Sequence, residues 1–298
     1  MNRCLKARPT EVIRQHPCFD EQAHERVGRV HLAVAPRCNI RCLFCERRVC
    51  ANLTMQHPGW ARQLLSPEAA VALVRRLERL QKVNSSNGTG DPFVVGVAGP
   101  GEPLANEETF EALSRVHREF PALLKCISTN GLLLEQQLPR LVHAGVKTLT
   151  VTVNAVDSAI GEHIYAWVRQ EGTLYRGREA AEVLIASQVR GIQAALEAGL
   201  AVKVNTVLIP GINDRHVGVL ARHLRELGVH LMNIMPLIPG GQMRDRRAPS
   251  CDELRAARDD CEQALPQFRR CEQCRADVIR FPAVEADWND SFESRRTE

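Results

Sequence analysis

Short apolar runs alternate with amphipathic segments along most of this chain, and this alternation constrains the fold more than any other feature. The runs are rich in Val, Leu and Ile, as buried parallel strands are. They cover residues 30–36, 93–98, 124–128, 148–153, 202–208 and 231–235. The segments between them have helical periodicity and cover residues 67–82, 107–119, 135–144, 158–167, 178–198 and 214–227. The pattern therefore predicts six strand–helix repeats.

Six such repeats in succession predict an α/β fold with a parallel sheet and right-handed crossovers. We favour a partial, TIM-like (β/α)6 barrel over residues 28–240, and a flat doubly wound sheet is the alternative. Residues 1–27 and 241–298 fall outside the repeats and are expected to form short extensions, the second ending in a polar tail. In both architectures the chemistry is expected at the carboxyl ends of the strands.

The composition limits the classes of function. Of the 298 residues, 44% are hydrophobic and 25% charged, which is ordinary for a folded protein. No apolar run is long enough to cross a membrane, and the first residues lack the pattern of a signal peptide. The net charge of +4 is mild and aromatic residues are only 4%, which argues against a nucleic-acid partner. We expect a cytoplasmic protein with no membrane and no nucleic-acid partner.

The eleven cysteines are unusual for such a chain. Cys38, Cys42 and Cys45 follow the first predicted strand in the segment CNIRCLFC, with the spacing C-x3-C-x2-C. Three thiolates on one loop leave one iron of a [4Fe–4S] cluster open to a further ligand, whereas structural zinc requires four closed ligands. We interpret the three as catalytic metal ligands, and zinc binding or chance clustering is the alternative.

Polar residues follow the other predicted strands. The second strand ends in AGPGE, where Gly99 and Gly101 would let the backbone approach a ligand and Glu102 could accept a hydrogen bond from an ammonium group. Further hydroxyl and amide groups at strand ends are candidates for binding the rest of a cofactor, and local turn bonding is the alternative. These residues are Ser128, Asn130, Thr152, Asn154 and Asn205.

The cysteine loop resembles the signature of the radical SAM superfamily. The resemblance implies that S-adenosylmethionine (SAM) chelates the open iron through its amino and carboxylate groups, and that cluster reduction cleaves SAM to a 5′-deoxyadenosyl radical. Phe44 occupies the aromatic position that packs near the adenine, and Glu102 lies in the turn that holds the methionine amino group.

Longer segments resemble the NifB family of nitrogenase cofactor maturases, from about residue 16 to residue 277. They read HPCFDEQAH, VHLAVAPRCNIRCLFC, VAGPGEPLANEETFE, LKCISTNGLLL, IYAWV…YRGREAAE, KVNTVLIPGIND, NIMPLIP and CEQCRAD. The resemblance implies that two [4Fe–4S] substrate clusters are fused into an eight-iron core, with SAM as the source of both the central carbide and the radical. It also implies cluster-donor and cofactor-carrier proteins as partners.

The same resemblance implies ligands for the two further clusters. Five cysteines match family positions that hold them, namely Cys18, Cys50, Cys126, Cys271 and Cys274, and either His16 or His24 is the histidine ligand. The segment ERRVC after Cys45 is one residue shorter than in the family, which affects the alignment of Cys50. Cys4, Cys251 and Cys261 are interpreted as non-ligands.

Two other classes of function remain open. One is a different radical SAM enzyme with an auxiliary cluster, similar to the molybdopterin-precursor cyclases. The other is a non-enzymatic iron–sulfur scaffold or carrier, which would hold clusters without consuming SAM.

Overall fold

The computed structural model describes residues 9–84 and 92–281. Its strands are β1 (Gly28–His31), β2 (Ile40–Cys42), β3 (Arg48–Val49), β4 (Trp60–Ala61), β5 (Phe93–Val97), β6 (Leu124–Thr129), β7 (Val146–Thr152), β8 (Tyr165–Gln170), β9 (Thr173–Tyr175), β10 (Ala201–Leu208), β11 (Leu231–Pro236) and β12 (Ile279–Arg280). Its helices are α1 (Pro9–Arg14), α2 (Glu21–His24), α3 (Pro67–Asn84), α4 (Glu107–Glu119), α5 (Leu134–His143), α6 (Ser158–Gly161), α7 (Gly177–Glu197), α8 (Val217–Glu226) and α9 (Cys251–Glu262).

The main sheet confirms the predicted partial barrel. Its strand order is β11-β10-β7-β6-β5-β1-β12, so the six parallel strands β1, β5, β6, β7, β10 and β11 lie side by side in chain order. A doubly wound sheet reverses its strand order at a switch point, and this sheet has no reversal. The flat alternative is therefore excluded, and the sheet forms a TIM-like half-barrel.

The core lies between this sheet and the helices outside it. Apolar side chains such as Val95, Val151 and Ile234 on the strands pack with Leu113 and Leu220 on the helices, and all five are fully buried. Neighbouring helices also contact one another, α3 with α4, α5 with α7 and α8 with α9. None of the helices in the described ranges has the length and apolar character to cross a membrane.

The helix predicted over residues 158–167 is wrong beyond its first turn. Helix α6 ends at Gly161, and the chain then enters β8, which pairs antiparallel with β2 on one side and β9 on the other. Ile160, Ile164 and Val168 recur every four residues and so imitate a helical face, but two strand partners and the alternation of β8 decide the structure.

The two extensions both contact the barrel. Helix α1 packs against β7 and β10, and β12 adds an antiparallel strand to β1 at the sheet edge. The polar tail expected from residue 282 onward and the non-ligand Cys4 lie outside the described residues.

Candidate active site

A cavity of about 300 Å³ opens at the carboxyl ends of the parallel strands and continues over the concave face of the sheet. It brings together nearly all of the residues that the sequence predicts as site residues. Those lining it are His16, Cys18, His24, Cys38, Cys42, Phe44, Cys45, Gly101, Glu102, Cys126, Ser128, Asn130, Thr152, Asn154, Asn205, Cys271 and Cys274. Gly99 and Cys50 do not line it.

The loop of Cys38, Cys42 and Cys45, called here the cysteine trio, is held on two sides. Strand β2 pairs with β8, and the Leu43 N–H donates to the Ile164 carbonyl at 2.8 Å. On the other side the Gln242 N–H donates to the Leu43 carbonyl at 2.8 Å. A Cβ at Gly241, which has φ +56°, would lie 2.7 Å from that same carbonyl oxygen. The Pro-Gly-Gly break after β11 therefore packs directly on the loop.

Burial and mutual repulsion keep the trio protonated while no metal faces it. Burial raises the pKa of Cys42 well above its usual value, and the neighbouring Cys45 and Cys38 raise it further. Burial also raises the pKa of Cys38 to about 11 and that of Cys45 in the same direction, although Arg47 and Arg41 oppose the rise at Cys45. Thiolates here need a positive charge between them, which iron ions supply.

The three thiols of the trio lie in one cavity and influence one another electrostatically, as the ligands of one metal cluster would.

Glu102 is a buried carboxyl in the cavity wall. It accepts hydrogen bonds from the Leu104 N–H at 3.0 Å, the Thr129 hydroxyl at 2.5 Å and the Asn130 N–H at 2.7 Å. These bonds favour the carboxylate, but burial outweighs them and raises the pKa of Glu102 to about 7. A buried carboxyl of this kind suits a cationic ligand, which supplies the missing charge.

The two glycines of AGPGE allow a tight turn that packs closely against neighbouring backbone. A Cβ at Gly101 would lie 2.2 Å from the Arg37 carbonyl oxygen, and the Gly101 N–H donates to the Ala35 carbonyl at 2.6 Å. Gly99 has φ +138°, which strongly favours glycine. The sequence predicts that these glycines let the backbone approach a ligand. In the structure they instead let the turn pack against the backbone just before Cys38.

The strand-end polar residues divide into two kinds. Asn130 and Asn205 are engaged by protein groups, since Asn130 Oδ1 accepts from the Leu132 N–H at 2.9 Å and Asn205 Oδ1 from Asn233 Nδ2 at 3.0 Å. Asn154 Oδ1 accepts from the Val207 N–H at 2.9 Å, and its buried Nδ2 makes no hydrogen bond of ordinary geometry among the described residues, although the side chain lies near the Tyr165 hydroxyl. Asn154 therefore keeps one donor for a ligand. No side-chain hydrogen bond engages the Ser128 or Thr152 hydroxyl within the described residues.

Four thiols from distant segments, called here the distal thiols, lie in the same cavity: Cys18, Cys126, Cys271 and Cys274. Burial raises the pKa of Cys126, with repulsion from Cys18 as the next cause. Burial likewise raises the pKa of Cys274 to about 12, although Arg29 opposes it. Burial therefore keeps Cys18, Cys126 and Cys274 in the thiol form, and a cationic metal centre would ionise them.

The hydrogen bonds separate the histidines. His16 Nδ1 accepts from the Cys18 N–H at 3.0 Å, so in the neutral ring Nε2 carries the proton. His24 Nδ1 lies 2.8 Å from the Pro17 carbonyl and its Nε2 lies 3.4 Å from a Glu272 carboxylate oxygen. His31 Nδ1 lies 3.1 Å from the Arg275 carbonyl and must donate to it, which leaves the Nε2 lone pair free. Of His16, His24 and His31, only His31 combines an Nδ1 bonded to a backbone carbonyl with an Nε2 that no side chain of the described residues engages; His57, which also lines the cavity, has its Nδ1 2.7 Å from the Pro58 carbonyl.

The other cysteines lie elsewhere. Cys50 is exposed, and its N–H donates to the Ala61 carbonyl at 3.1 Å. Cys251 is exposed at the start of α9, and Cys261 is buried in the main core, where burial raises its pKa to about 12. The sequence-based assignment of Cys50 as a ligand stays a prediction that this arrangement does not favour.

Three further residues line the cavity although no sequence motif indicates them, namely His31, Arg29 and Lys203. Arg29 and Lys203 are 4% and 2% exposed. The sequence does contain a signal for them. Each is a charged or polar residue within an apolar strand, β1 or β10, and such a residue is seldom buried unless it has a partner or a function.

Comparison with known proteins agrees with this geometry. The sequence profile of the Radical SAM superfamily matches residues 32–224, a range that includes the trio and Glu102. The chain therefore belongs to the radical SAM superfamily, whose members bind a [4Fe–4S] cluster and SAM. A solved structure of similar fold is a radical SAM methyltransferase from Sphaerobacter thermophilus, with a TM-score of 0.51 and 23% identity over 82% of this chain and 65% of that chain.

Curated relatives define the family more narrowly. The "FeMo cofactor biosynthesis protein NifB" of Methanocaldococcus jannaschii is 43% identical over 94% of this chain and 90% of its own length. The protein of the same name from Methanocaldococcus infernus is 44% identical over 91% of this chain and 86% of its own length. Within the superfamily, the chain belongs to the NifB family.

Proposed function

We propose that this chain is a radical SAM enzyme of FeMo-cofactor biosynthesis that fuses two [4Fe–4S] substrate clusters into an eight-iron, carbide-centred precursor. The observation that carries the proposal is that the cysteine trio and the distal thiols share one cavity. A resident cluster needs three or four thiolates, so the remaining thiols are available for substrate.

At the trio, the residues bind and orient SAM. A [4Fe–4S] cluster held by Cys38, Cys42 and Cys45 would supply the electron that cleaves the sulfonium of SAM. Glu102 accepts a hydrogen bond from the methionine amino group of SAM, and the Nδ2 of Asn154 offers a donor to SAM oxygen atoms. Phe44 supplies an apolar wall for the adenine.

At the distal thiols, the residues hold substrate. Cys18, Cys126, Cys271 and Cys274 provide sulfur ligands, and the free Nε2 of His31 provides a nitrogen ligand. The Nε2–H of His16 is buried without a partner among the described residues and donates to a cluster sulfide instead of binding iron. This assignment replaces the choice between His16 and His24 that the resemblance leaves open.

The cysteine trio and the distal thiols share one cavity, and this arrangement suits an enzyme that uses SAM as both methyl and radical source. A methyl group placed on the substrate stays in the space where the radical is generated, so both steps occur without release to water. Delivery of the two cubes and removal of the product then require other proteins, which we assign to cluster-donor and cofactor-carrier partners.

The test combines anaerobic reconstitution, iron counting and product analysis. About twelve irons per chain, at four per cube, with formation of deoxyadenosine and adenosylhomocysteine, is the expected result. Transfer of the product to cofactor-deficient nitrogenase should then restore its activity. Clusters without SAM consumption would indicate a scaffold, and about eight irons with binding of a nucleoside triphosphate would indicate a cyclase-like enzyme. Either result would contradict the proposal.

A further inference from the structure

Lys203 is a buried ammonium in the cavity without a carboxylate partner. Its side chain is 2% exposed, and its Nζ donates to the Cys18 carbonyl at 2.8 Å. The same Nζ lies 5.2 Å from the ring centroids of both Phe19 and Phe268. Among the described residues, no Asp or Glu forms an ion pair with it. Its charge is therefore met only by a carbonyl dipole and two aromatic faces.

The second buried cation of this region is compensated. Arg29 pairs with Glu272, which also pairs with Arg280. Burying a charge without a counter-charge is costly, and proteins retain such a charge where a ligand supplies the opposite sign. One Glu272 carboxylate thus serves two arginines, so the positive charges around the distal thiols outnumber the negative ones, and Lys203 is the buried cation among them that contacts no carboxylate of the described residues.

Lys203 also lies beside the distal thiols. Its Nζ is 2.8 Å from the carbonyl oxygen of Cys18, and Lys203, Cys18 and Cys126 line the same cavity. It lies on β10 in register with Thr150 of β7, and both residues line the cavity. An anion bound among the distal thiols therefore lies within the electrostatic reach of the ammonium.

We propose that Lys203 is the counter-cation for the anionic iron–sulfur substrate at the distal thiols and that its charge positions and retains that substrate. The inference rests on the proposed function. Thiolate-bound cubes are anions, and a fixed positive charge beside them favours binding and stabilises the reduced, more negative state. Lys203 is a positioning residue, since its Nζ is engaged with the Cys18 carbonyl and needs no bond to iron.

The chain contains a matched control. Lys125 lies on β6, is 1% exposed, and its Nζ donates to the carbonyls of Phe120 at 3.3 Å and Pro121 at 3.1 Å. It does not line the cavity. The two lysines are both buried and both bonded to backbone carbonyls, so a difference between their variants reports proximity to the substrate site rather than loss of a buried lysine.

The experiment compares Lys203→Gln, Lys203→Arg and Lys125→Gln in the full chain, reconstituted anaerobically with ferrous iron and sulfide. Glutamine keeps a donor for the Cys18 carbonyl and removes the charge. S-adenosylhomocysteine, which has no methyl group to transfer, occupies the SAM site and perturbs only the cluster at the trio, so the part of the EPR signal that it leaves unchanged reports the distal clusters. The readouts are the midpoint potential of that signal and the rate of iron loss to a chelator.

We expect Lys203→Gln to lower the midpoint potential and to lose distal iron about tenfold faster than the wild type, the effect of losing one charge-assisted interaction. Lys203→Arg should restore both properties, and Lys125→Gln should match the wild type. Equal potentials and rates in Lys203→Gln and wild type would overturn the inference, and so would an arginine variant that behaves like the glutamine variant.

A second variant covers the case in which Lys203→Gln does not fold. Thr150→Asp supplies the missing carboxylate across the strand pair, with Thr150→Asn as its neutral counterpart. The aspartate variant should raise the melting temperature of the cluster-free protein above that of the asparagine variant and should retain less distal iron. Identical behaviour of the two would contradict the inference.

Failure of the inference and failure of the proposed function give different results. A wild-type protein that holds only about four irons overturns both, because no substrate cluster then occupies the distal thiols. A wild-type protein that holds about twelve irons, with a Lys203 charge that affects neither readout, overturns the inference alone.

Discussion

The Thr129 hydroxyl donates a 2.5 Å hydrogen bond to the Glu102 carboxylate, and this contact joins the end of β6 to the turn that follows β5. Two backbone N–H groups, from Leu104 and Asn130, complete the set of donors. The carboxyl is thus fixed in position before any ligand binds. Burial still raises its pKa to about 7, so a proton competes with a cationic ligand for the same group near neutral pH.

SAM binding should therefore release protons. Near pH 7 a fraction of the Glu102 carboxyls carries a proton, and the cationic sulfonium and the amino N–H groups of SAM favour the carboxylate, so SAM binding displaces that proton. Affinity should rise with pH up to about 7 and level off above it. Calorimetry in two buffers of different ionisation enthalpy measures the release, and Glu102→Gln should reduce it to the part that comes from the SAM amino group when it binds iron. Proton uptake on binding would contradict this assignment.

If His31 is the nitrogen ligand of a distal cluster, substitutions of His31 and His16 should have different effects on the EPR spectrum. His31→Gln should remove the nitrogen coupling from the pulsed EPR spectrum of a distal cluster, because its Nε2 holds the free lone pair. His16→Gln should keep the coupling, because Nδ1 of His16 already accepts from the Cys18 N–H. Loss of the coupling in the His16 variant alone would show that the ligand is His16.

The thiols can be separated in the same way. Cys126→Ser should lose distal iron on reconstitution, because Cys126 lines the cavity on β6. Cys50→Ser should retain a clearly larger share of that iron, because Cys50 is exposed outside the cavity. Iron analysis of the two variants beside the wild type decides the matter, and equal losses would place Cys50 among the ligands.

Gly101 should be intolerant of any side chain. Its Cβ would lie 2.2 Å from a backbone oxygen of Arg37, so Gly101→Ala forces the turn and the segment before Cys38 apart. We expect a loss of about 3 kcal/mol in the free energy of unfolding. Gly211→Ala is the control, because Gly211 has φ +75° but open space around it and should lose only about 1 kcal/mol. Chemical denaturation of the cluster-free proteins measures both, and equal losses would contradict the steric argument.

The sequence predicts the barrel well because strand and helix periodicities are local signals. The same locality explains the wrong helix over residues 158–167. A spacing of four between Ile160, Ile164 and Val168 matches a helix, and only the pairing of β8 with β2, more than 120 residues away, reverses it. That pairing also holds the cysteine loop, so the one misassigned element is part of the site.

The site was predictable where its residues fall in motifs. The spacing of the trio is one example, and Glu102 is another because it follows the second predicted strand in a turn that resembles that of the radical SAM superfamily. Lys203 and His31 stand alone in apolar strands, and only the folded sheet shows that they share a cavity with the distal thiols. The role of Gly101 could not be read from the sequence either, because its close neighbour is a backbone oxygen 64 residues earlier in the chain.

The most direct test of the whole account is SAM cleavage by the anaerobically reconstituted wild type beside Cys42→Ala, with Cys251→Ala as a control at an exposed cysteine. We expect the wild type and the Cys251 variant to form 5′-deoxyadenosine under reduction and the Cys42 variant to form none above background, because cleavage needs a cluster held by all three thiols. Cleavage that survives in iron-loaded Cys42→Ala, or a wild-type trio that holds only tetrahedral zinc, would contradict it.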